Sequence, residues 1–229
     1  MGILRYCDLG TVGYAECAEF QQKLVELRLD DKIEDTLLLL EHNPVITIGT
    51  SGGRENLLIE NSRLKAEGIE LCNTNRGGNI TYHGPGQIVG YPIFNLKDHG
   101  RDAHLFLRNL EQVVIDFLSG QGIHGERLPG LTGVWVGEDK ICSMGIAVRR
   151  WISWHGFALN IHPNFAHWAL IHPCGLVGRH VTSVDRLTGR SMSMADAKRS
   201  IVENVDNVFG MEPAPIDRKE LFEIAGEAL

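Results

Sequence analysis

The chain has 229 residues, 43% of them hydrophobic and 22% charged, with 22 Lys and Arg against 29 Asp and Glu and a formal charge of −7. Disorder requires low hydrophobicity with high net charge, and a collagen-like chain requires a strict glycine repeat that these 26 glycines do not make, so both are excluded. The longest aliphatic run, Leu37 to Leu40, is far short of the roughly 20 apolar residues that cross a bilayer.

The N-terminus, MGILRYCDLG, has no basic stretch ahead of an apolar segment, and Tyr6 stands where a myristoylation signal has Ser or Thr, so the expected location is the cytoplasm. Apolar residues at 17, 20, 24 and 27 predict a helix over 13–29. TLLLLEH at 36–42 and VITIG at 45–49 read as paired or successive strands about the turn dipeptide Asn43-Pro44. Shorter strands follow at 69–74, 80–82 and 87–96, with the glycine-rich stretch RGGNITYHGPGQ at 76–87 among them. Leu107, Leu110, Val114 and Phe117 mark a helix over 102–119, after which 131–137, 140–148 and 155–161 are strand-like. Ser193 and Asp196 resemble a capping box at the head of an apolar stripe from Met194 to Val208, and a last helix is predicted at 217–227. Strands outnumber helices without regular alternation, and no linker or repeat interrupts them. The expectation is one α+β domain over residues 1–229.

Five cysteines, at 7, 17, 72, 142 and 174, are odd in number, widely spaced and free of any C-x-x-C, which argues against a disulfide framework or a zinc knuckle. Charge is unevenly spread. Residues 140–200 hold eight basic side chains against two acidic ones, a surplus of six that leaves −13 on the rest. Such a block suits an anionic partner if it forms one face, and is otherwise scattered, solvated charge.

Three motifs mislead. Gly49-Thr50-Ser51-Gly52-Gly53 fits the G-x-S-x-G of a serine hydrolase, but RENLLIENS is a poor opening for the helix that must follow. Gly84 to Gly90 is one residue too long for G-x-G-x-x-G, and strand-like residues follow it. The histidines at 162, 167, 172 and 180, with Cys174, match no zinc spacing. No metal and no nucleotide cofactor is expected.

Two segments carry chemistry. Arg76 to Gln87 places four glycines around a short strand, where main chain can approach a ligand closely and peptide N–H groups can hold a carbonyl or carboxylate. Pro173-Cys174-Gly175 sets a thiol between two backbone punctuators in a basic, His-rich stretch that favours its thiolate, with the Gly175 N–H able to face an oxyanion.

The runs RGGNITYHGPGQIVGYPIFNL, GVWVGEDKICSMGI with HGFALNI, and PCG, in this order across residues 42–178, closely resemble the octanoyltransferases of lipoate biosynthesis. The resemblance implies transfer of an octanoyl group from acyl carrier protein to a lysine of lipoyl domains, those of 2-oxoacid dehydrogenases and of glycine cleavage H protein. It implies a mixed sheet flanked by helices, like the catalytic core of biotin and lipoate protein ligases. It places the acyl thioester on Cys174 and its assisting lysine at Lys140. It lines the acyl pocket with Arg76, Gly77, Gly78, Asn79, Ile80, Thr81, Tyr82 and His83, with Ser143, Met144 and Gly145, and with Gly156, Phe157 and Ala158. Cys142, where the family usually has a small residue, and Trp168 depart from its pattern. Chemically the pair makes sense, since a free thiol with a pKa near 8.5 is only about 3% ionised at pH 7 and gains reactivity beside an ammonium. The acceptor amine, with a pKa of about 10.4, needs a group to take its proton, for which deprotonated Lys140 is the candidate. Thioester to amide is downhill, so no nucleotide is required. An ATP-dependent ligase on the same scaffold, a hydrolase using Ser51 and a non-catalytic binding module are the alternatives, and an acyl-cysteine at position 174 separates the first reading from all three.

Overall fold

The computed structural model describes residues 2–175 and 178–226, without the side chain of Cys174. Among them are eleven strands: β1 (Gly2–Val12), β2 (Thr36–His42), β3 (Val45–Ile48), β4 (Glu70–Asn73), β5 (Ile80–His83), β6 (Gln87–Ile93), β7 (Glu126–Leu128), β8 (Leu131–Val136), β9 (Asp139–Arg149), β10 (Ile152–Asn160) and β11 (Met211–Pro215). The α-helices are α1 (Tyr14–Leu29), α2 (Asn61–Ala66), α3 (Ala103–Gly120), α4 (Phe165–Trp168), α5 (Val184–Thr188), α6 (Met194–Phe209) and α7 (Arg218–Ile224).

Eight strands make one mixed sheet in the order β11-β1-β2-β6-β10-β9-β8-β7, parallel around β1 and antiparallel from β2 onward. Its centre is apolar on both faces, which is why β2 is an unbroken TLLLL run rather than an alternating one. One face buries Leu37, Leu39, Phe157 and Leu159 beneath α3 and α6. The other buries Leu38, Leu40, Val89 and Ala158 with Cys17, Phe20 and Leu24 of α1 and Leu221 and Phe222 of α7. Asp102 caps α3 by accepting from the N–H groups of His104 and Leu105 at 2.7 and 3.1 Å. Ser193 Oγ caps α6 at the Asp196 N–H, 3.1 Å away, as its sequence signature predicts.

A second sheet, β4-β3-β5, is spliced between β2 and β6. β2 and β3 are therefore not partners, contrary to one expectation. Residues 43–44 carry the chain out of the large sheet and residues 84–86 return it, which stacks the small sheet over the α1 face of the large one and brings His42 and His83, at the two junctions, to 5.8 Å between ring centroids. The far side of the small sheet buries Ile46, Ile80, Tyr82, Leu64, Trp168 and Val181 in a separate core. No helix among the described residues is long and apolar enough to cross a membrane.

Candidate active site

The glycine-rich loop ahead of β5 is pinned by a single side chain. Arg76 is 8% exposed. Its guanidinium donates to the carbonyls of Thr47, Gly77 and Asn79 at 2.9, 3.0 and 2.8 Å and to Thr47 Oγ1 at 2.8 Å. The Gly49–Ser51 turn clasps the same loop from outside, with its three N–H groups donating to the carbonyls of Asn79, Arg76 and Gly78 at 3.2, 3.0 and 3.0 Å. Gly49 is required there because a Cβ would stand 2.3 Å from the Gly78 carbonyl oxygen. The G-x-S-x-G match is thus a loop fastener. Ser51 is exposed and a three-residue 3₁₀ turn at 54–56 follows it, so the nucleophile elbow lacks its helix.

Between β5 and the large sheet lies a narrow slot. Its floor is β9 and β10, where the directly opposed pairs Ser143–Ala158 and Gly145–Gly156 put four small residues together. Its roof is Gly78 to Thr81 with His83, and Arg76, Met144 and Phe157 complete the lining that the sequence had singled out. Thr81 Oγ1 and Ser143 Oγ meet across it at 3.4 Å. The open space is about 40 Å³, little more than one water's share of liquid volume. The slot is therefore a narrow seam between its two walls.

Two of the residues singled out stand elsewhere. Tyr82 is turned away by strand alternation, its hydroxyl 2.8 Å from His167 Nδ1 and its ring edge-on to Trp168. Gly77 acts through main chain, its N–H donating to Ile146 O at 3.0 Å while its carbonyl sits where a Cβ on Gly145 would fall, 2.4 Å away. Tyr91 and His155 line the slot and were not singled out, although both stand inside the runs GYPIFNL and HGFALNI that carried the family resemblance.

A group of buried aromatic and imidazole rings closes the inner end. Tyr14 stacks on His83, His42 Nε2 lies 2.8 Å from the Tyr91 hydroxyl, and Tyr91 meets His155 edge-on. Burial pushes all three histidines toward the neutral form: His42 down to about 4, His155 down to about 3 with Arg76 adding to the effect, and His83 well below the usual imidazole value. These rings are neutral at pH 7 and give the slot an uncharged end.

Lys140 opens β9 at 5% exposure. Its ammonium lies 4.9 Å from the centre of the Trp135 ring, over which the Arg179 guanidinium also sits. Its N–H donates to His180 O, and its carbonyl accepts from the Thr182 N–H, each at 3.0 Å. The segment that leaves the Pro173–Gly175 turn is thereby tied to Lys140. That turn is itself held against the slot: the His172 N–H donates to Asn56 O at 2.8 Å, and a Cβ on Gly175 would stand 3.7 Å from Asn79 Oδ1, a slot-lining residue. The side chain of Cys174 lies outside the described residues. The other four thiols are poor nucleophiles. Burial pushes Cys7 and Cys17 up to about 12 and Cys142 higher still, against the opposing pull of Lys140; burial, and then the neighbouring Glu70, also raise Cys72 to about 12. Cys142 adds bulk to the core rather than to the slot.

Among the described residues no three metal-ligating side chains converge. His167 and His172, set aside on spacing, serve the Tyr82 hydroxyl and the 173–175 turn instead.

Residues 13–206 match the model of the lipoyl protein ligase A/B catalytic domain. The octanoyltransferase of Desulforamulus reducens is 41% identical over 95% of this chain and 96% of its own. Among solved structures, the bipartite lipoate protein ligase of Thermoplasma acidophilum superposes with a TM-score of 0.73 at 16% identity, covering 99% of this chain and 91% of that one. The biotin protein ligase of Aquifex aeolicus gives 0.52 at 10% identity, covering 92% and 70%.

Proposed function

The chain belongs to the lipoyl protein ligase A/B catalytic-domain family, and from that premise we propose that its octanoyl transfer runs through a thioester on Cys174, with Lys140 as the base. The activity itself, octanoyl transfer in lipoate biosynthesis with lipoyl domains as acceptors, is that of its octanoyltransferase relatives. The donor is octanoyl acyl carrier protein, and the acceptor lysines are those of 2-oxoacid dehydrogenase lipoyl domains and of glycine cleavage H protein. The reaction takes place in the cytoplasm, and residues 1–229 act as one catalytic unit.

One observation supports this reading above the others: residues of the runs 76–83, 143–145 and 156–158, far apart in sequence, meet around a single slot that the Pro173–Gly175 turn abuts at Asn79. The Cys174 thiolate attacks the octanoyl carbonyl, the new C–S bond replaces the bond to phosphopantetheine, and the departing thiolate takes a proton. The acceptor amine then attacks the same carbonyl, Lys140 receives its proton, and the Cys174 thiolate leaves. Burial of Lys140 against Trp135, in place of a solvated position at the strand edge, suits a group that exchanges a proton with a positioned substrate.

The test is a transfer assay on a lipoyl domain. Octanoyl acyl carrier protein without ATP is expected to support turnover, octanoic acid with ATP is not, and Lys140→Met is expected to lower kcat by roughly 10²- to 10⁴-fold. Strict dependence on ATP and free acid would identify a ligase instead.

A further inference from the structure

Behind the slot lies a second, open cleft of about 510 Å³, bordered by Tyr14, Ala18 and Gln22 of α1, by Cys72 to Asn75, and by Trp154. The two spaces share one residue, His155. Its ring is 2% exposed and fixed from several sides. Nε2 stands 2.7 Å from Asn75 Oδ1 and 3.5 Å from Thr74 Oγ1, and the Tyr14 hydroxyl donates to that same Thr74 oxygen at 2.9 Å. The main chain is set as firmly. His155 has φ +57°, unusual for a non-glycine residue, and its N–H donates to the Oε1 of fully buried Gln21 at 2.8 Å. Tyr91 packs edge-on against the ring from the slot side.

We propose that His155, held by Thr74, Asn75 and Tyr14 and backed by Tyr91, is the end stop that measures the acyl chain, and that the cleft behind it is room withheld from longer chains. The inference rests on the thioester reading, with the carbonyl at the 173–175 end of the slot. Length supports it. From Ala158, opposite Ser143, to His155 is three strand residues, about 10 Å. An extended octanoyl chain, seven C–C bonds of about 1.5 Å near the tetrahedral angle, is about 9 Å long. A dodecanoyl chain would meet the imidazole with four carbons still to place. Nε2 is held by Asn75 and Thr74, which border the outer cleft, while Nδ1 is buried without a hydrogen-bond partner, so the ring offers a methyl end only carbon and uncharged nitrogen.

The experiment compares kcat/KM for octanoyl and dodecanoyl acyl carrier protein, with a lipoyl domain as acceptor, in wild type, His155→Gly and Tyr14→Ala. Glycine suits the positive φ, so His155→Gly removes the ring without new backbone strain. Wild type is expected to favour octanoyl by at least about tenfold, the scale on which a pocket rejects surplus methylenes. His155→Gly is expected to shift that ratio at least about tenfold toward dodecanoyl, and Tyr14→Ala in the same direction by less. A wild type that uses both donors equally overturns the proposal whatever the variants do, and so does an unchanged ratio in a folded His155→Gly. Absence of wild-type turnover with either donor would instead strike the thioester reading, which separates the two failures.

Discussion

Arg76 shows how little of this site is made of free catalytic groups. Its guanidinium makes five hydrogen bonds within 3.2 Å to Thr47, Gly77 and Asn79, so it shapes the roof of the slot. Arg76→Ala takes a donor from the carbonyls of Thr47, Gly77 and Asn79 and is expected to cost about 2–4 kcal/mol in urea unfolding, with Arg76→Lys recovering little because an ammonium cannot reproduce the planar fork. The buried imidazoles make a second prediction. Their folded pKa values lie below the unfolded value of about 6.5, so the stability they contribute is complete above pH 6.5 and is lost as pH falls toward 4 for His42 and 3 for His155. Between pH 7.5 and pH 5, unfolding free energy is expected to fall by about 2 kcal/mol for each of these two. A flat profile over that interval would show that the rings are solvated or paired. Their signal in the sequence was faint: a histidine in HGFALNI or at the end of TLLLLEH reads as any strand residue, and only the fold makes neighbours of positions 42, 83 and 155.

Elements with strong periodicity were legible, and those that depend on partners were not. The spans of α1, α3 and α6 follow from apolar spacing and capping residues, although the buried face of α3 is turned slightly from the expected one, with Phe106 and Val113 inward and Leu107 only half-buried. β1 escapes the period-two signal because its register shifts between Asp8 and Gly10, where φ is +68°, so the buried residues fall at 4, 7, 9 and 12. β11, the Met-Glu-Pro-Ala-Pro edge strand, carries two prolines and is recognisable only by its pairing with β1. The splice of the small sheet was equally hidden, since Asn43-Pro44 reads as a hairpin turn and gives no sign that β2 and β3 part company. At this scale the glycines opposite one another in β9 and β10 carry the decisive constraint. Gly145→Ala would drive a Cβ to 2.4 Å from Gly77 O, and Gly156→Ala to 2.1 Å from Gly90 O. Each is expected to lose octanoyl transfer at least about tenfold and to lower Tm by several degrees, whereas alanine at exposed Gly120, where a Cβ meets nothing within 4 Å, leaves both unchanged.

Across the whole molecule, the basic block at 140–200 does not form one face. Arg149 sits at the β9–β10 turn in an ion pair with Glu26, nine residues and about 30 Å along the strand from Lys140. Lys198 pairs with Asp8, and Arg199 with Asp196. Arg179 shares the Trp135 ring with Lys140 and so lies beside the site. Charge reversal at Arg179 is therefore expected to raise KM for octanoyl acyl carrier protein about fivefold or more and to flatten its salt dependence. Reversal at Arg149 and Arg150, at the β9–β10 turn, is expected to change neither, and the opposite pattern would place docking at that turn instead. The lining of the slot was legible in the runs 76–83, 143–145 and 156–158 because they carry the family resemblance, on which the role proposed for Cys174 also rests. The shared wall at His155 was not, because it arises from two clefts meeting. The most direct test of the central claim is intact mass spectrometry after mixing the protein with octanoyl acyl carrier protein, without acceptor or ATP. The account predicts one octanoyl adduct that maps to the Cys174 peptide, is lost in Cys174→Ala and survives in Ser51→Ala. No adduct, or transfer undiminished in Cys174→Ala, would contradict it.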